Sequence, residues 1–174
     1  MKEFGGCPFQ ILKPSVMSRN ISQAIARHPF AAGLAPEHLE VLAECAMPTQ
    51  FAQGEVVLEK GDLANRFYLI ESGRVSIESP LAVGCMSVET LGAGDVLGWS
   101  WLFEPYSWHF RACALEPTEA IFFYGTRLRT LCEEDTGLGY ELVKRIAQVA
   151  IHRLEATQHR LTGSEPGRNH RQNT

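Results

Sequence analysis

Three consecutive carboxylates, five cysteines and His109, one of six histidines, are among the side chains in this sequence whose types could carry acid–base, redox or metal chemistry. Neighbours in the run Glu133-Glu134-Asp135 point apart on a helical or extended backbone, so they do not form a general acid–base pair. At a helix junction they complement the positive end of the helix that follows. Cys7, Cys45, Cys85, Cys113 and Cys132 are odd in number, scattered, and without a Cys-x-x-Cys or Cys/His ligand spacing. They read as reduced packing residues, with no zinc site. No second ligand stands at metal spacing from His109. A Ser/His/Asp or Cys/His constellation is equally absent, so the chain is not expected to be an enzyme. That leaves the tryptophans. Trp99 and Trp101 either fill space in a packed interior or line a stacking pocket for a planar ligand, and filling is the ordinary role of such rings.

The elements that would position these residues are legible in outline. With 174 residues, 45% hydrophobic and 21% charged, the chain has the make-up of one globular domain with short extensions. Its net charge of −4 gives no footprint for a polyanion, and direct DNA binding is not expected. No run approaches the ~20 apolar residues of a membrane span. Met1 to Gln10 has no basic stretch followed by an apolar core, so a cytoplasmic protein with no membrane contact is expected.

Residues 1–20 carry glycine and proline without periodicity and read as a flexible arm. Two short helices fit Ile21 to Ala46. From Met47 to Tyr124, glycines alternate with short β-branched or aromatic runs such as Phe67-Tyr68-Leu69-Ile70, the pattern of an antiparallel sandwich or roll. Leu128 and Leu131 mark a short helix. Leu138, Leu142, Ile146, Val149, Ala150, Arg153 and Ala156 then recur at helical spacing over about 136–161, and residues 162–174 read as a disordered tail. The domain is therefore placed at 21–161.

The stretch Gly54-Glu55-Val56-Val57-Leu58-Glu59-Lys60-Gly61-Asp62 through Phe67-Tyr68-Leu69-Ile70-Glu71-Ser72-Gly73, continued by Gly94-Asp95-Val96-Leu97-Gly98, resembles the cyclic-nucleotide-binding fold over residues 25 to 161. The resemblance implies an α+β, mainly β architecture: a jelly-roll-like antiparallel β-roll with N-terminal helices, a short cassette helix and a long C-terminal helix. In family members that bind cAMP or cGMP, backbone N–H groups of the cassette hold the cyclic phosphate. A glutamate directly after the glycine grips the ribose, and an arginine followed by small residues completes the phosphate site. The matching positions are Gly98, Trp99, Ser100, Trp101, Arg111 and Ala112. Trp99-Ser100-Trp101 stands where the carboxylate should be. Arg111 is the candidate phosphate partner if it faces the cassette; if it faces solvent, only N–H donors remain, and a cyclic nucleotide is expected to bind weakly.

Gly139 to Leu154 resembles the dimer helix of the Crp/Fnr regulators, and the 20 residues after it, 155–174, are too few for a helix-turn-helix. Leu142, Ile146, Val149 and Ala156 are expected to form a two-fold seam, with Tyr140, Val143 and Ile151 turned toward the roll. Two functions follow. One is a stand-alone bacterial sensor module that takes cAMP, cGMP or another small anion and signals through its helix, to a separate output protein or by its own assembly. The other is a ligand-free interaction scaffold whose pocket is closed by aromatic side chains.

Overall fold

A computed structural model describes residues 14–80 and 84–162. The chain divides into two compact units, Met1–Thr130 and Leu131–Thr174.

The first unit opens with helix α1 (Pro14–Arg27). The expected arm over 1–20 is corrected from Pro14 onward. Proline is favoured at a first helical position, where its missing N–H would have no partner anyway. The rest of the arm, residues 1–13, and the expected tail from residue 163 lie outside the described residues. A short 3-10 turn, Pro29–Ala31, follows, and then α2 (Pro36–Glu44).

His28 caps the 3-10 turn and is itself buried. Its Nδ1 accepts from the Phe30 N–H at 3.2 Å, and its Nε2 lies 3.2 Å from the Ile70 carbonyl, which requires a neutral ring with the proton on Nε2. Burial is the main cause that holds its pKa below the ordinary 6.5, against smaller opposing effects from the Ile70 carbonyl and Asp95. A histidine depressed in the fold contributes stability that is complete above 6.5 and is lost as pH falls from there through its lower folded value. Urea unfolding at pH 7.5 and 5.5 should show lower stability at the acid pH. His28→Gln should show a smaller difference between the two pH values, and an equal difference would exclude this residue as the cause.

Eight strands follow among the described residues: β1 (Ala46–Phe51), β2 (Val56–Leu58), β3 (Arg66–Ser72), β4 (Val75–Pro80), β5 (Cys85–Leu91), β6 (Val96–Leu97), β7 (Arg111–Ala114) and β8 (Thr118–Tyr124). They pair antiparallel in two four-stranded sheets, ordered β1-β8-β3-β6 and β2-β7-β4-β5. The expected mainly β, antiparallel architecture with flanking helices is what the chain adopts.

The run Phe67-Tyr68-Leu69-Ile70 is apolar throughout because its sheet is covered on both faces. Tyr68 and Ile70 face the roll interior with Val57, Leu58, Val75, Ile77, Leu91, Ala112 and Ala114. Phe67, on the other face, meets Phe30, Trp101 and Phe123 at ring distances of 5.3, 6.1 and 6.0 Å. Each such fully buried side chain contributes roughly 1.5–3 kcal/mol. Between β3 and β4 the chain turns at Gly73, with φ +86° and a β-carbon position only 2.5 Å from the Pro117 carbonyl oxygen. Only glycine fits there.

Helix α3 (Gly125–Glu134) leads to α4 (Thr136–Thr162). Asp135 sits between them, its Oδ1 accepting from the N–H groups of Gly137 and Leu138 at 2.9 and 3.1 Å. Asp135 thus takes the helix-start role expected of the acidic run, whereas Glu133 and Glu134 end α3. Along α4, Leu138, Leu142 and Ile146 are buried, whereas Tyr140, Val143, Ala147, Ile151, Leu154 and Leu161 are exposed. Leu142 and Ile146, expected at a two-fold seam, are therefore covered and Val149 is half-buried, whereas Ala156 of the same set is exposed; Tyr140, Val143 and Ile151, expected to be covered, are exposed. Both sets satisfy three-and-four spacing, and only the packed chain distinguishes which is covered. No helix among the described residues is long and apolar enough to cross a membrane.

Candidate functional site

Strand β6 ends at Leu97, and the chain breaks direction at Gly98, whose φ of 87° and ψ of 28° lie in the left-handed region. A β-carbon there would lie 2.6 Å from the Arg66 carbonyl oxygen and 3.2 Å from the indole ring of Trp108. Gly98→Ala is thus expected to cost about 1–3 kcal/mol through backbone strain, read as a lower urea midpoint with unchanged slope.

The next four residues, Trp99–Leu102, make a single 3-10 turn. Trp101 is 0% exposed, wedged against Phe67, and close enough to α3 that a β-carbon on Gly125 would come within 2.6 Å of its own. Its buried Nε1–H has no hydrogen-bond partner among the described residues. Trp99 is half-buried and packs edge-to-face on Phe103 at 6.2 Å; Ser100 is also half-buried, and its carbonyl accepts from the Phe103 N–H. The aromatic pair therefore divides its roles: Trp101 fills, and Trp99 lies at the surface.

From Phe103 to Phe110 the chain loops out and returns, with a cis bond at Glu104–Pro105 and Tyr106 at φ 54°. Backbone bonds tie it to the turn after β2: Ala64 N–H to the Tyr106 carbonyl at 2.7 Å, Trp108 N–H to the Asp62 carbonyl at 3.0 Å, and Gly61 N–H to the Trp108 carbonyl at 2.9 Å. This pairing turns Trp108 inward. The residue is 5% exposed and belongs to the interior cluster with Leu58, Ile77, Leu97 and Ala112. Arg129 of α3 reaches the same segment. Its guanidinium donates to the Trp101 carbonyl and lies 4.3 Å over the Tyr106 ring, so one cation holds both halves of the loop.

Gly98, Trp99, Ser100 and Trp101 thus share one turn, and Ala112 joins Trp108 in the interior. Arg111 is not brought there. It begins β7 with its side chain opposite in sense to buried Ala112. It pairs with Glu78 at 2.8 Å and Glu59 at 3.3 Å across the outer face of the sheet. No carboxylate follows Gly98, so the charged groups of a ribose-phosphate site are lacking at this turn. Trp108, Tyr106 and Arg129 are functional candidates that sequence reasoning missed. The parity of Trp108 with Ala112 and Ala114 is a signal for the first, but exposed Phe110 interrupts it.

Burial pushes the Cys45 thiol up to about 11 and raises that of Cys132, so both stay protonated near neutrality. Among the described residues no three His, Cys, Asp or Glu side chains are grouped to hold a metal.

The profile of the cyclic nucleotide-binding domain matches residues 48–135. A CRP-like cAMP-activated global transcriptional regulator of Mycobacterium tuberculosis is 24% identical over 142 residues, 81% of this chain and 62% of that protein. The acetyltransferase Pat of Mycolicibacterium smegmatis is 36% identical over 74 residues, 42% of this chain and 22% of the enzyme. The chain therefore spans less than two thirds of the length of either relative. Among solved structures, a Geobacter metallireducens protein provisionally named for cyclic nucleotide binding superposes with a TM-score of 0.71 at 26% identity, covering 76% of this chain and 97% of that one. The profile spans half the chain, β1 to α3, and includes the Gly98 turn: this chain belongs to the cyclic nucleotide-binding domain family.

Proposed function

We propose that this chain is a regulatory module of the family that has exchanged cyclic-nucleotide binding for a roll closed by its own aromatic side chains, and that it acts through pairing of α4. The observation that carries this reading is Trp108 in the roll interior, its ring against the β-carbon position of Gly98. A cyclic nucleotide entering there must displace a packed indole and gains neither the ribose carboxylate, replaced by Trp99, nor Arg111, held by Glu59 and Glu78. Gly98, Trp99, Ser100, Trp101 and Ala112 then serve as the walls of a closed turn.

Thermal unfolding with cAMP or cGMP at millimolar concentration tests this. A ligand at 100 times its dissociation constant stabilises by about 2.7 kcal/mol, which would raise the melting temperature by several degrees. No shift is expected, and a saturable one would overturn the closed reading.

The pairing surface is the exposed face of α4. Tyr140, Ala147, Leu154 and Leu161 recur every seven residues, with Val143 and Ala150 at the intervening coiled-coil positions and Ile151 beside them. Such a seam favours a second copy of the same helix. Sedimentation at micromolar concentration should give a dimer, and a clean monomer would sink this part of the proposal.

A further inference from the structure

On the face of the sheet that lines the roll interior, the register sets Arg66 beside Tyr124, Tyr68 beside Phe122, and Phe122 beside Met47. At the Tyr68 end this face is core: Tyr68 is 3% exposed and packs against Phe51 and Phe122, each with a ring separation of 5.5 Å. At the other end it emerges. Tyr124 is 52% and Met47 43% exposed, and Tyr124 stands edge-on to Phe122 at 4.6 Å. Arg66 is exposed beside them, paired in register with Tyr124, and forms no ion pair among the described residues. Glu55, the carboxylate felt at Tyr68, is engaged at 2.8 Å by the Ala52 N–H.

An exposed aromatic ladder ending on an unpaired guanidinium is complementary to a flat apolar molecule with one negative end. We propose that Arg66, Tyr124, Phe122 and Met47 form a shallow site for a small planar aromatic carboxylate, its carboxylate on Arg66 and its ring against Tyr124. The site shares none of the residues from Gly98 to Trp108, so it stands or falls independently of the closed cassette.

The probe is 2-naphthoate, followed by ligand-observed NMR, with 2-naphthalenemethanol as the neutral counterpart. A dozen-atom ligand on an open face should bind with a dissociation constant on the order of a millimolar. Arg66→Gln should weaken naphthoate roughly tenfold, to the level of the neutral alcohol, through loss of a charge-assisted bond. Tyr124→Ala should weaken both molecules. Both residues are exposed, so the variants should melt like the parent, and circular dichroism checks this. Failure of naphthoate to saturate, or equal affinity for the parent and Arg66→Gln, would overturn the proposal, the second result meaning adventitious apolar contact only.

Discussion

Trp108→Ala should be among the most destabilising single changes in this protein, costing about 3–5 kcal/mol, the range for deleting a buried large aromatic. The indole lies in the roll interior among Leu58, Ile77, Leu97 and Ala112. The loop that carries it is held by backbone bonds to residues 61–64 and cannot easily collapse into the space left behind. At about 2–4 °C per kcal/mol for a chain of this size, the melting temperature should fall by roughly 6–20 °C. Urea unfolding with an unchanged slope would confirm that native packing, rather than the denatured state, was altered. A loss below about 1 kcal/mol would mean that the ring is not packed. The closed-roll reading would then lose its supporting observation. Trp108→Phe, which keeps part of the volume, should fall between the two.

The second large effect concerns assembly. Ile151→Glu combined with Leu154→Glu places two charges on the exposed face of α4 while touching nothing buried. The monomer should keep its stability within about 0.5 kcal/mol, as surface substitutions do. The dimer should weaken by a hundredfold or more, since four carboxylates across a two-fold seam would be buried unpaired. The comparison variant is Leu142→Ala. It removes a buried side chain and should cost about 2–5 kcal/mol of fold stability. Were Leu142 at the seam and Ile151 and Leu154 covered, the two variants would exchange phenotypes. Sedimentation of both beside the parent decides it, and a double variant that still dimerises would show that the seam lies elsewhere.

The strands and their turns were legible because glycine and alternating apolar runs are local signals. Gly54, Gly61, Gly73, Gly94 and Gly98 all sit at positive φ, where a β-carbon is costly, and the β-branched and aromatic runs between them, such as Val56-Val57-Leu58 and Phe67-Tyr68-Leu69-Ile70, are too short for helices. The missing ribose carboxylate was equally legible, because it depends only on which residue follows Gly98. The long helix could be read from its periodicity, and the capping role of Asp135 from its position before that helix.

Direction was harder. Whether Arg111 enters or leaves the roll turns on a single step of strand parity, and that step is set by how the eight residues from Phe103 to Phe110 loop back onto residues 61–64. Trp108 turns inward through the same long-range pairing, and Arg129 of α3 reaches the Tyr106 ring and the Trp101 carbonyl only in the folded chain. On α4 the sequence contains two apolar stripes of the same period.

The amino-acid sequence alone thus determined the family, the order of helices and strands, and the absence of a carboxylate after Gly98, since each rests on residue type and local spacing. Tertiary structure alone decided that Arg111 is spent on Glu59 and Glu78, that Trp108 occupies the interior, and that Tyr140, Val143, Ile151 and Leu154 are the exposed face of α4. The physical reason is common to all three. A side chain's identity is local, but the face it presents depends on contacts made by residues distant in the chain.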